Sequence, residues 1–298
     1  MSILILGNKG SLGKALQKRL SHEHHVLGLD IEDFDLTKYE DYPEQFEAIL
    51  HSRLEKVIII NCAGIMGARE SEVDPFKYYE VNGIIPYKLR RFFASHLSNH
   101  LFVQISSETV YGMSADNKNP FQEDDTCSPQ HNYGLSKLMA EQLLKSTSEM
   151  QGDTVILRVP IILFENQKYS NALHGIYNEI NKTSFATLLG KGEHQRQYII
   201  VDKLVGDIET ILNCWHAGSE NISKFDIINM PGTALSPREF VRILKDEFNS
   251  QFNVKFEINH KLAFSLVSSS EKFSFITSST NSSDSTKTIV EWIIKTYE

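Results

Sequence analysis

The stretch LILGNKGSLGKAL, residues 4–16, places three glycines three residues apart directly behind an apolar run. A strand, a glycine turn and a helix in this order aim backbone N–H groups and the positive end of the helix at a phosphate. The GxxGxxG spacing is a variant of the dinucleotide-binding GxGxxG pattern, and a glycine turn without a ligand is the alternative. The residues predicted to line this cofactor turn are Gly7, Gly10, Ser11, Leu12 and Gly13.

Short apolar runs recur along the first half of the chain, separated by segments of helical character. They are ILIL (3–6), HVLGL (25–29), KVIII (56–60), LFVQI (101–105) and TVILRV (154–159). This alternation predicts an α/β fold with a parallel sheet and crossover helices. After about residue 160 the candidate strands are shorter, and a helix begins at SPREF, where Ser236 is the predicted N-cap. A smaller second lobe, partly interleaved with the first, is therefore expected.

The composition is that of a globular protein with a sizeable core, at 298 residues, 41% hydrophobic and 23% charged. A net charge of -8 without a long basic block argues against nucleic acid or a membrane as partner. The three scattered cysteines indicate a reducing compartment. Since we also find no signal-peptide pattern or long apolar span, a cytoplasmic location is expected.

An acidic residue follows the second predicted strand. Asp30 ends VLGLD, 17 residues after Gly13, near the place where a carboxylate accepts hydrogen bonds from the adenosine ribose. Its negative charge would repel the extra phosphate of NADP, whereas the positive charge of Lys9 in the glycine turn would modestly favour that phosphate. The sequence therefore favours NAD as cofactor, with NADP as the alternative.

The catalytic signal lies in QISSETVYG (104–112) and HNYGLSK (131–137). Tyr133 and Lys137 stand four apart, so a helix would present both on one face. A phenol has a pKa of about 10 when unperturbed, and a neighbouring ammonium favours its ionised form. Ser107, at the end of a predicted strand, would hold the substrate oxygen and share its proton. An ordinary surface Tyr–Lys pair is the alternative.

In this order GNKGSLG, NCAG, VNG, SSETVYG and YGLSK resemble the extended short-chain dehydrogenase/reductases, specifically the NAD-dependent epimerase/dehydratase family that modifies nucleotide-activated sugars. The resemblance implies a Rossmann-type doubly wound sheet over residues 1–164, which bind NAD(P), and a C-terminal α/β lobe over 165–298, which binds the nucleotide sugar. It also implies a homodimer. Catalysis would fall to Ser107, Tyr133 and Lys137.

The same resemblance implies roles for further residues. Beside the glycine turn and Asp30, the implied cofactor contacts are Asp35, Leu36, Ala63, Gly64, Asn82, Tyr133, Lys137 and Val159. The implied substrate contacts are Ser107, Glu108, Thr109 and Arg196, the last of these in GKGEHQRQYIIVDKL (190–204). A guanidinium suits the substrate's diphosphate because its fork of donors matches that anion.

The chain also departs from the family pattern. RVPIILF replaces the Asn-Pro pair common in epimerases and resembles the dehydrorhamnose-reductase branch, whereas SSETVYG and the Arg196 segment favour epimerases. Dehydratases carry an acidic pair where Glu108 is followed by Thr109. We therefore expect a sugar epimerase that works by reversible hydride transfer. The first alternative is a nucleotide-4-keto-sugar reductase, dehydration ranks third, and a non-catalytic dinucleotide sensor is the alternative from another class.

Three remaining stretches are interpreted without a chemical role. The clustered histidines of HEHH (22–25) and the acids of QEDD (122–125) are expected to be surface turns, so no metal site is predicted. The stretch SSSEKFSFITSSTNSSDSTKT (268–288) is expected to be a loop because Ser and Thr dominate it.

Overall fold

The computed structural model describes residues 1–38, 46, 56–112, 120–165, 171–248, 251–257, 265–278 and 284–297. Its main feature is a parallel six-stranded sheet with the strand order β2-β1-β3-β4-β5-β9. In that spatial order the strands are β2 (His25–Leu29), β1 (Ser2–Leu6), β3 (Val57–Asn61), β4 (His100–Ser107), β5 (Asp153–Val159) and β9 (Phe225–Asn229). The predicted Rossmann-type α/β fold is confirmed, and the five predicted N-terminal strands agree with it to within two residues.

Helices cover both faces of this sheet, which is why its strands are apolar on both sides. Every residue of β3 and β4 is buried. The described helices and turns that precede β5 are α1 (Ser11–Leu20), α2 (Glu70–Val73), α3 (Pro75–Tyr78), a π-helical turn (Tyr79–Ile84), α4 (Ile85–His96), a 3₁₀ turn (Glu108–Val110) and α5 (Asn132–Lys145).

The second half of the chain builds two smaller sheets. One has the order β10-β8-β6 and the other pairs β11 with β7. Their strands are β6 (Ile161–Leu163), β7 (Phe185–Leu189), β8 (Arg196–Ile200), β10 (Thr233–Leu235) and β11 (Asn253–Glu257). The helices of this half are α6 (Ala172–Thr183), α7 (Val201–His216), α8 (Pro237–Phe248), α9 (Glu271–Thr277) and α10 (Thr286–Tyr297). The predicted N-cap is confirmed, since Ser236 Oγ accepts from Glu239 N–H at 3.1 Å.

Two elements of the second half belong spatially to the first. Strand β9 pairs with β5, and α7 buries Leu204, Ile208 and Ile211 in the same core cluster as Ile3 and Leu16. The functional division at residues 164 and 165 stays a prediction.

The expectation of a loop over residues 268–288 is wrong for residues 268–277 and for residues 286–288, which begin α10. Ser268 is buried, its N–H and hydroxyl both donate to Gln197 Oε1, and Phe121 N–H donates to the Val267 carbonyl. Helix α9 then packs Phe273 into the main core. Residues far away in the sequence form hydrogen bonds with the backbone of this stretch. The local composition, rich in Ser and Thr, therefore does not reveal that the stretch is buried. Residues 279–283 lie outside the described part of the chain.

None of the helices described above combines the length and apolar character needed to cross a bilayer.

Candidate active site

A cavity of about 410 Å³ opens at the carboxyl ends of β1 and β3. The strand order reverses between these two strands, because β2 lies on one side of β1 and β3 on the other. Such switch points are where open α/β sheets bind ligands. Seven of the predicted cofactor residues line the cavity, and they are Gly7, Gly10, Asp30, Asp35, Leu36, Ala63 and Gly64. Sequence reasoning did not select the apolar residues beside them, namely Ile31, Phe34, Ile65, Val81 and Ile85.

The glycine turn leaves no room for side chains. Gly7 has φ +79°, and a Cβ there would lie 2.7 Å from the Ala63 nitrogen. A Cβ on Gly13 would lie 2.2 Å from the Gly7 carbonyl oxygen. Helix α1 begins at Ser11 without an acidic residue in its first turn, and its N-cap, Gly10, lines the cavity, so the positive end of the helix lies beside it.

The end of β2 forms an acidic rim around the cavity. The Asp30 carboxylate accepts from the backbone N–H groups of Lys9 and Ile31, each at 2.9 Å. Lys9 Nζ binds Glu32 at 2.8 Å and lies 3.5 Å from Asp33. Lys9 is thus already paired with two carboxylates beside Asp30.

Asn82 supports the site from behind the cavity. It sits fully buried in the π-helical turn, and its Oδ1 accepts from Ile65 N–H while its Nδ2 donates to the Ile65 carbonyl, both at 2.9 Å. Nδ2 also donates to Ser136 Oγ at 3.1 Å. Asn82 therefore joins the loop after β3 to α5, and a π-helical turn at this point fits the tendency of such turns to occur at functional sites.

Ser107, Tyr133 and Lys137 converge where β4 ends and α5 begins. Ser107 lies close enough to the Tyr133 phenol to lower its pKa, and the Lys137 ammonium lies 6.0 Å from the centroid of the Tyr133 ring. A Cβ on Gly64 would lie 3.4 Å from Lys137 Nζ. Lys137 Nζ thus approaches Gly64, which lines the cofactor cavity, whereas Ser107, Tyr133 and Lys137 themselves are not among the residues that line it.

The pKa values of this trio are dominated by burial. Burial raises the pKa of Tyr133 to about 12, although the nearby Ser107 opposes this. Burial lowers the pKa of Lys137 to about 8, against the fields of Cys62 and Glu141. The sequence argument expected the ammonium to lower the pKa of Tyr133, but Lys137 Nζ donates to the Ile105 carbonyl at 3.1 Å. Burial is therefore the largest influence on the Tyr133 pKa.

The predicted substrate residues lie at the same strand end. Thr109 Oγ1 donates to Ser107 Oγ at 3.0 Å. Glu108 is 1% exposed, and neither of its carboxylate oxygens has a hydrogen-bond partner among the described residues. Burial raises its pKa to about 8, although the positive field of Arg196, which begins β8, opposes this. A buried polar group without a partner is costly, so this carboxyl is a feature that a ligand would complete.

Val159, which is predicted to contact the cofactor, packs inside the protein core. It pairs with Ser107 in the sheet register. The acids of QEDD are not all solvated either, because Glu123 accepts from Asn229 N–H at 2.9 Å. Sequence reasoning missed this contact, which depends on a residue 106 positions away.

A set of potential metal ligands occurs away from this site. Among the described residues, ligand atoms of Glu23, His24 and Glu209 lie within 4.8 Å of one another. Arg19 donates a hydrogen bond to the Glu209 carboxylate at 2.7 Å, so this carboxylate is already paired with a cationic side chain.

Two curated proteins are similar to this chain over most of its length. It is 28% identical over 279 residues to a dTDP-4-dehydro-6-deoxyglucose reductase of Escherichia coli, covering 86% of this chain and 84% of that protein. It is 26% identical over 245 residues to YtcB of Bacillus subtilis, an uncharacterized UDP-glucose epimerase, covering 75% and 76% respectively.

Solved structures share the fold. A UDP-glucuronic acid 4-epimerase of Bacillus cereus, crystallised with NAD, superposes with a TM-score of 0.74 at 20% identity over the full length of both chains. The model of the NAD-dependent epimerase/dehydratase family matches residues 3–221, which include the glycine turn, the trio and Arg196. The chain therefore belongs to the NAD-dependent epimerase/dehydratase family.

Proposed function

We propose that this protein is an NAD-dependent enzyme that modifies a nucleotide sugar, and that it is an epimerase working by reversible hydride transfer. The observation that carries the proposal is that Lys137 Nζ approaches Gly64, which lines the cavity at the switch point, while Tyr133 lies beside Lys137 and Ser107 beside Tyr133. A binding protein has no need of a buried phenol beside a serine and an ammonium. This argues against the dinucleotide sensor.

The cavity fits a dinucleotide. The close approach at Gly7 and Gly13 brings the uncapped end of α1 to the phosphates, and the Asp30 carboxylate is placed for ribose hydroxyls. The acidic rim disfavours the extra phosphate of NADP, because Lys9 is paired with Glu32 and Asp33. NAD is the preferred cofactor on this ground. When bound, it supplies a hydride acceptor and a cationic ring whose charge favours the ionised form of a nearby phenol.

The chain's own groups then manage the proton. Tyr133 takes the proton from a sugar hydroxyl as the hydride leaves the same carbon, and Ser107 holds that oxygen in place. Lys137 keeps positive charge near the phenol, which must be ionised to act as a base. In an epimerase the resulting keto sugar rotates within the site. The hydride then returns to the opposite face of the sugar, and Tyr133 gives the proton back to the sugar oxygen.

Arg196, Glu108 and Thr109 are proposed to bind the substrate. Arg196 offers a cationic fork for the diphosphate, and Glu108 offers a carboxyl whose oxygens have no partner among the described residues. The relatives named above act on a UDP-sugar and on a dTDP-keto sugar. Both substrate classes contain a diphosphate, so the proposed contacts suit either.

A keto-sugar reductase is the second candidate, because the similarity to the Escherichia coli reductase extends over 86% of this chain. It would use the same trio once per turnover and would consume reduced cofactor. A homodimer, a cytoplasmic location and a substrate lobe formed from residues 165–298 complete the proposal.

The test is to denature freshly purified protein, identify any released dinucleotide by mass spectrometry, and assay two probes. UDP-glucose with NAD tests the epimerase, and dTDP-4-dehydro-6-deoxyglucose with NADH tests the reductase. Retained NAD with epimerisation and no net NADH change supports the proposal. Stoichiometric NADH consumption on the keto sugar supports the second candidate. Failure to bind either dinucleotide contradicts both.

A further inference from the structure

A buried carboxylate stands one helical turn beyond Lys137. Glu141 follows it by four residues on α5, so both side chains leave the same face of the helix. The Glu141 side chain is 0% exposed, and its Oε2 lies 2.7 Å from Nη2 of Arg158, whose side chain is 3% exposed. The mechanism described above does not use this ion pair.

Glu141 ties the helix to the two central strands beside the catalytic serine. Ser106 Oγ donates to Glu141 Oε1 at 2.5 Å, and Arg158 Nε lies 3.2 Å from each carboxylate oxygen. Ser106 precedes Ser107 on β4 and faces Arg158 across the register with β5. Glu141 therefore fixes where α5, which carries Tyr133 and Lys137, sits relative to Ser107.

Arg158 is held in turn by the next shell of groups. Its Nη1 donates to the Tyr111 hydroxyl at 2.8 Å and to the Glu123 carbonyl at 3.1 Å. The Tyr111 hydroxyl donates to Asn229 Oδ1 at 2.7 Å, at the end of β9. A buried network in which each member is bonded holds one geometry, because moving any member leaves a buried polar group unpaired.

The charge of Glu141 also affects Lys137, in addition to the hydrogen bonds that hold α5 in place. The titratable groups that face Lys137 are Cys62 from the loop after β3, Glu141 from α5 and Tyr133. Because burial raises the pKa of the Cys62 thiol to about 12, Glu141 is the group among them that is negatively charged when Lys137 titrates. Around Glu141 are Arg158 and Cys127. The Glu141 field raises the pKa of Lys137, against the lowering effect of burial.

We propose that Glu141 and Arg158 are positioning residues for the reaction, which hold α5 against β4, and that the Glu141 carboxylate stabilises the positive charge of Lys137 beside Tyr133. This proposal rests on the proposed function for its kinetic consequences but not for its electrostatic one. Breaking a buried pair leaves an uncompensated charge, so the variants must separate positioning from loss of fold.

The first experiment needs no substrate. The chain is labelled with ¹³Cε-lysine and titrated by NMR over about pH 6–10, a range that brackets the lowered pKa of Lys137. A Lys137→Met variant assigns the signal. For Glu141→Gln we expect the Lys137 midpoint to fall by at least about half a pH unit. Asp226→Asn is the matched control, because Asp226 is also a buried, ion-paired carboxylate, 2.8 Å from Lys272, on β9. It should leave the midpoint unchanged.

The second experiment uses whichever sugar the wild-type chain turns over. Glu141→Gln should lower kcat by about 10- to 100-fold while KM and NAD affinity stay within about threefold, and the alkaline limb of the kcat profile should move to lower pH. Glu141→Asp keeps the charge and should retain the Lys137 midpoint with reduced kcat. Should Glu141→Gln fail to fold, Ser106→Ala removes one anchor and leaves the pair intact, and it should reduce kcat without moving the midpoint.

Contrary outcomes are distinct. A Lys137 midpoint that is the same in Glu141→Gln and Asp226→Asn, or a Ser106→Ala variant with wild-type kcat, would overturn the proposal. If no sugar is turned over but the midpoint falls as expected, the proposed function fails and the electrostatic role of Glu141 stands.

Discussion

Lys137 Nζ lies 6.0 Å from the centroid of the Tyr133 ring, yet it donates its hydrogen bond to the Ile105 carbonyl. The ammonium is thus held by the strand that carries Ser107 and approaches the phenol only as a charge. Because burial raises the pKa of Tyr133 to about 12, the phenol needs a further positive charge beside it to act as a base at neutral pH. We therefore expect the cationic nicotinamide ring, when bound, to favour ionisation of Tyr133.

The glycine turn should tolerate no methyl group. Gly13→Ala places a Cβ 2.2 Å from the Gly7 carbonyl oxygen, so we expect a loss of about 1–3 kcal/mol in stability and much weaker NAD binding. Gly206→Ala is the control, because nothing lies within 4 Å of its Cβ and it sits inside α7. It should be neutral or stabilising by up to about 1 kcal/mol. Thermal unfolding with and without NAD measures both, and equal behaviour of the two variants would refute the close-approach argument.

The acidic rim should control cofactor choice. Asp30→Ala removes a carboxylate placed for the ribose, so we expect NAD affinity to fall roughly 10- to 100-fold and NADP affinity to fall less or to rise. Titration calorimetry with both dinucleotides gives the ratio. Lys9→Ala should leave the preference for NAD in place, since Lys9 is paired with Glu32. A variant lacking Asp30 that keeps the wild-type ratio would contradict this role.

The buried carboxyl of Glu108 should lower the free energy of unfolding at neutral and alkaline pH. Its folded-state pKa is raised from 4.5 to about 8 by burial, so the unfolded chain loses this proton first and stability falls as pH rises between those values. Glu108→Gln removes this dependence and should gain about 2–4 kcal/mol over wild type at pH 8 relative to pH 5. Urea unfolding at the two pH values tests this, and the same variant should bind the sugar more weakly. A difference between the two proteins that does not vary with pH would contradict the assignment.

Two buried histidines should make the fold acid-sensitive. Burial lowers the pKa of His100 and of His174 from 6.5 to about 4. The unfolded chain therefore binds protons first, and their contribution to stability is lost as pH falls from 6.5 toward 4. His174→Leu should flatten this decline in urea unfolding curves, whereas exposed His22→Gln should leave it unchanged. An unaltered slope for His174→Leu would show that its titration is not coupled to unfolding.

The strands and the trio could be predicted because they depend on local pattern. Alternating apolar runs gave the sheet its first five strands, and the four-residue spacing of Tyr133 and Lys137 placed both on one helical face. The spacing of Glu141 from Lys137 is equally visible in the sequence. Its partner is not, because Arg158 reaches Glu141 only through the register of β4 with β5.

Other features depend on contacts far apart along the chain. The burial of Ser268 rests on Gln197, 71 residues away, and no local signal in a serine-rich stretch reveals it. The direction of the Tyr133 pKa shift likewise follows from burial, which the spacing of Tyr133 and Lys137 cannot reveal.

The most direct test of the central claim is the turnover of Tyr133→Phe, measured together with its affinity for NAD. We expect kcat to fall by about 10²- to 10⁴-fold, the range that a general acid–base group contributes, and NAD binding to be retained because the cavity residues are unchanged. Turnover equal to wild type would contradict the assignment of Tyr133 as the group that moves the proton.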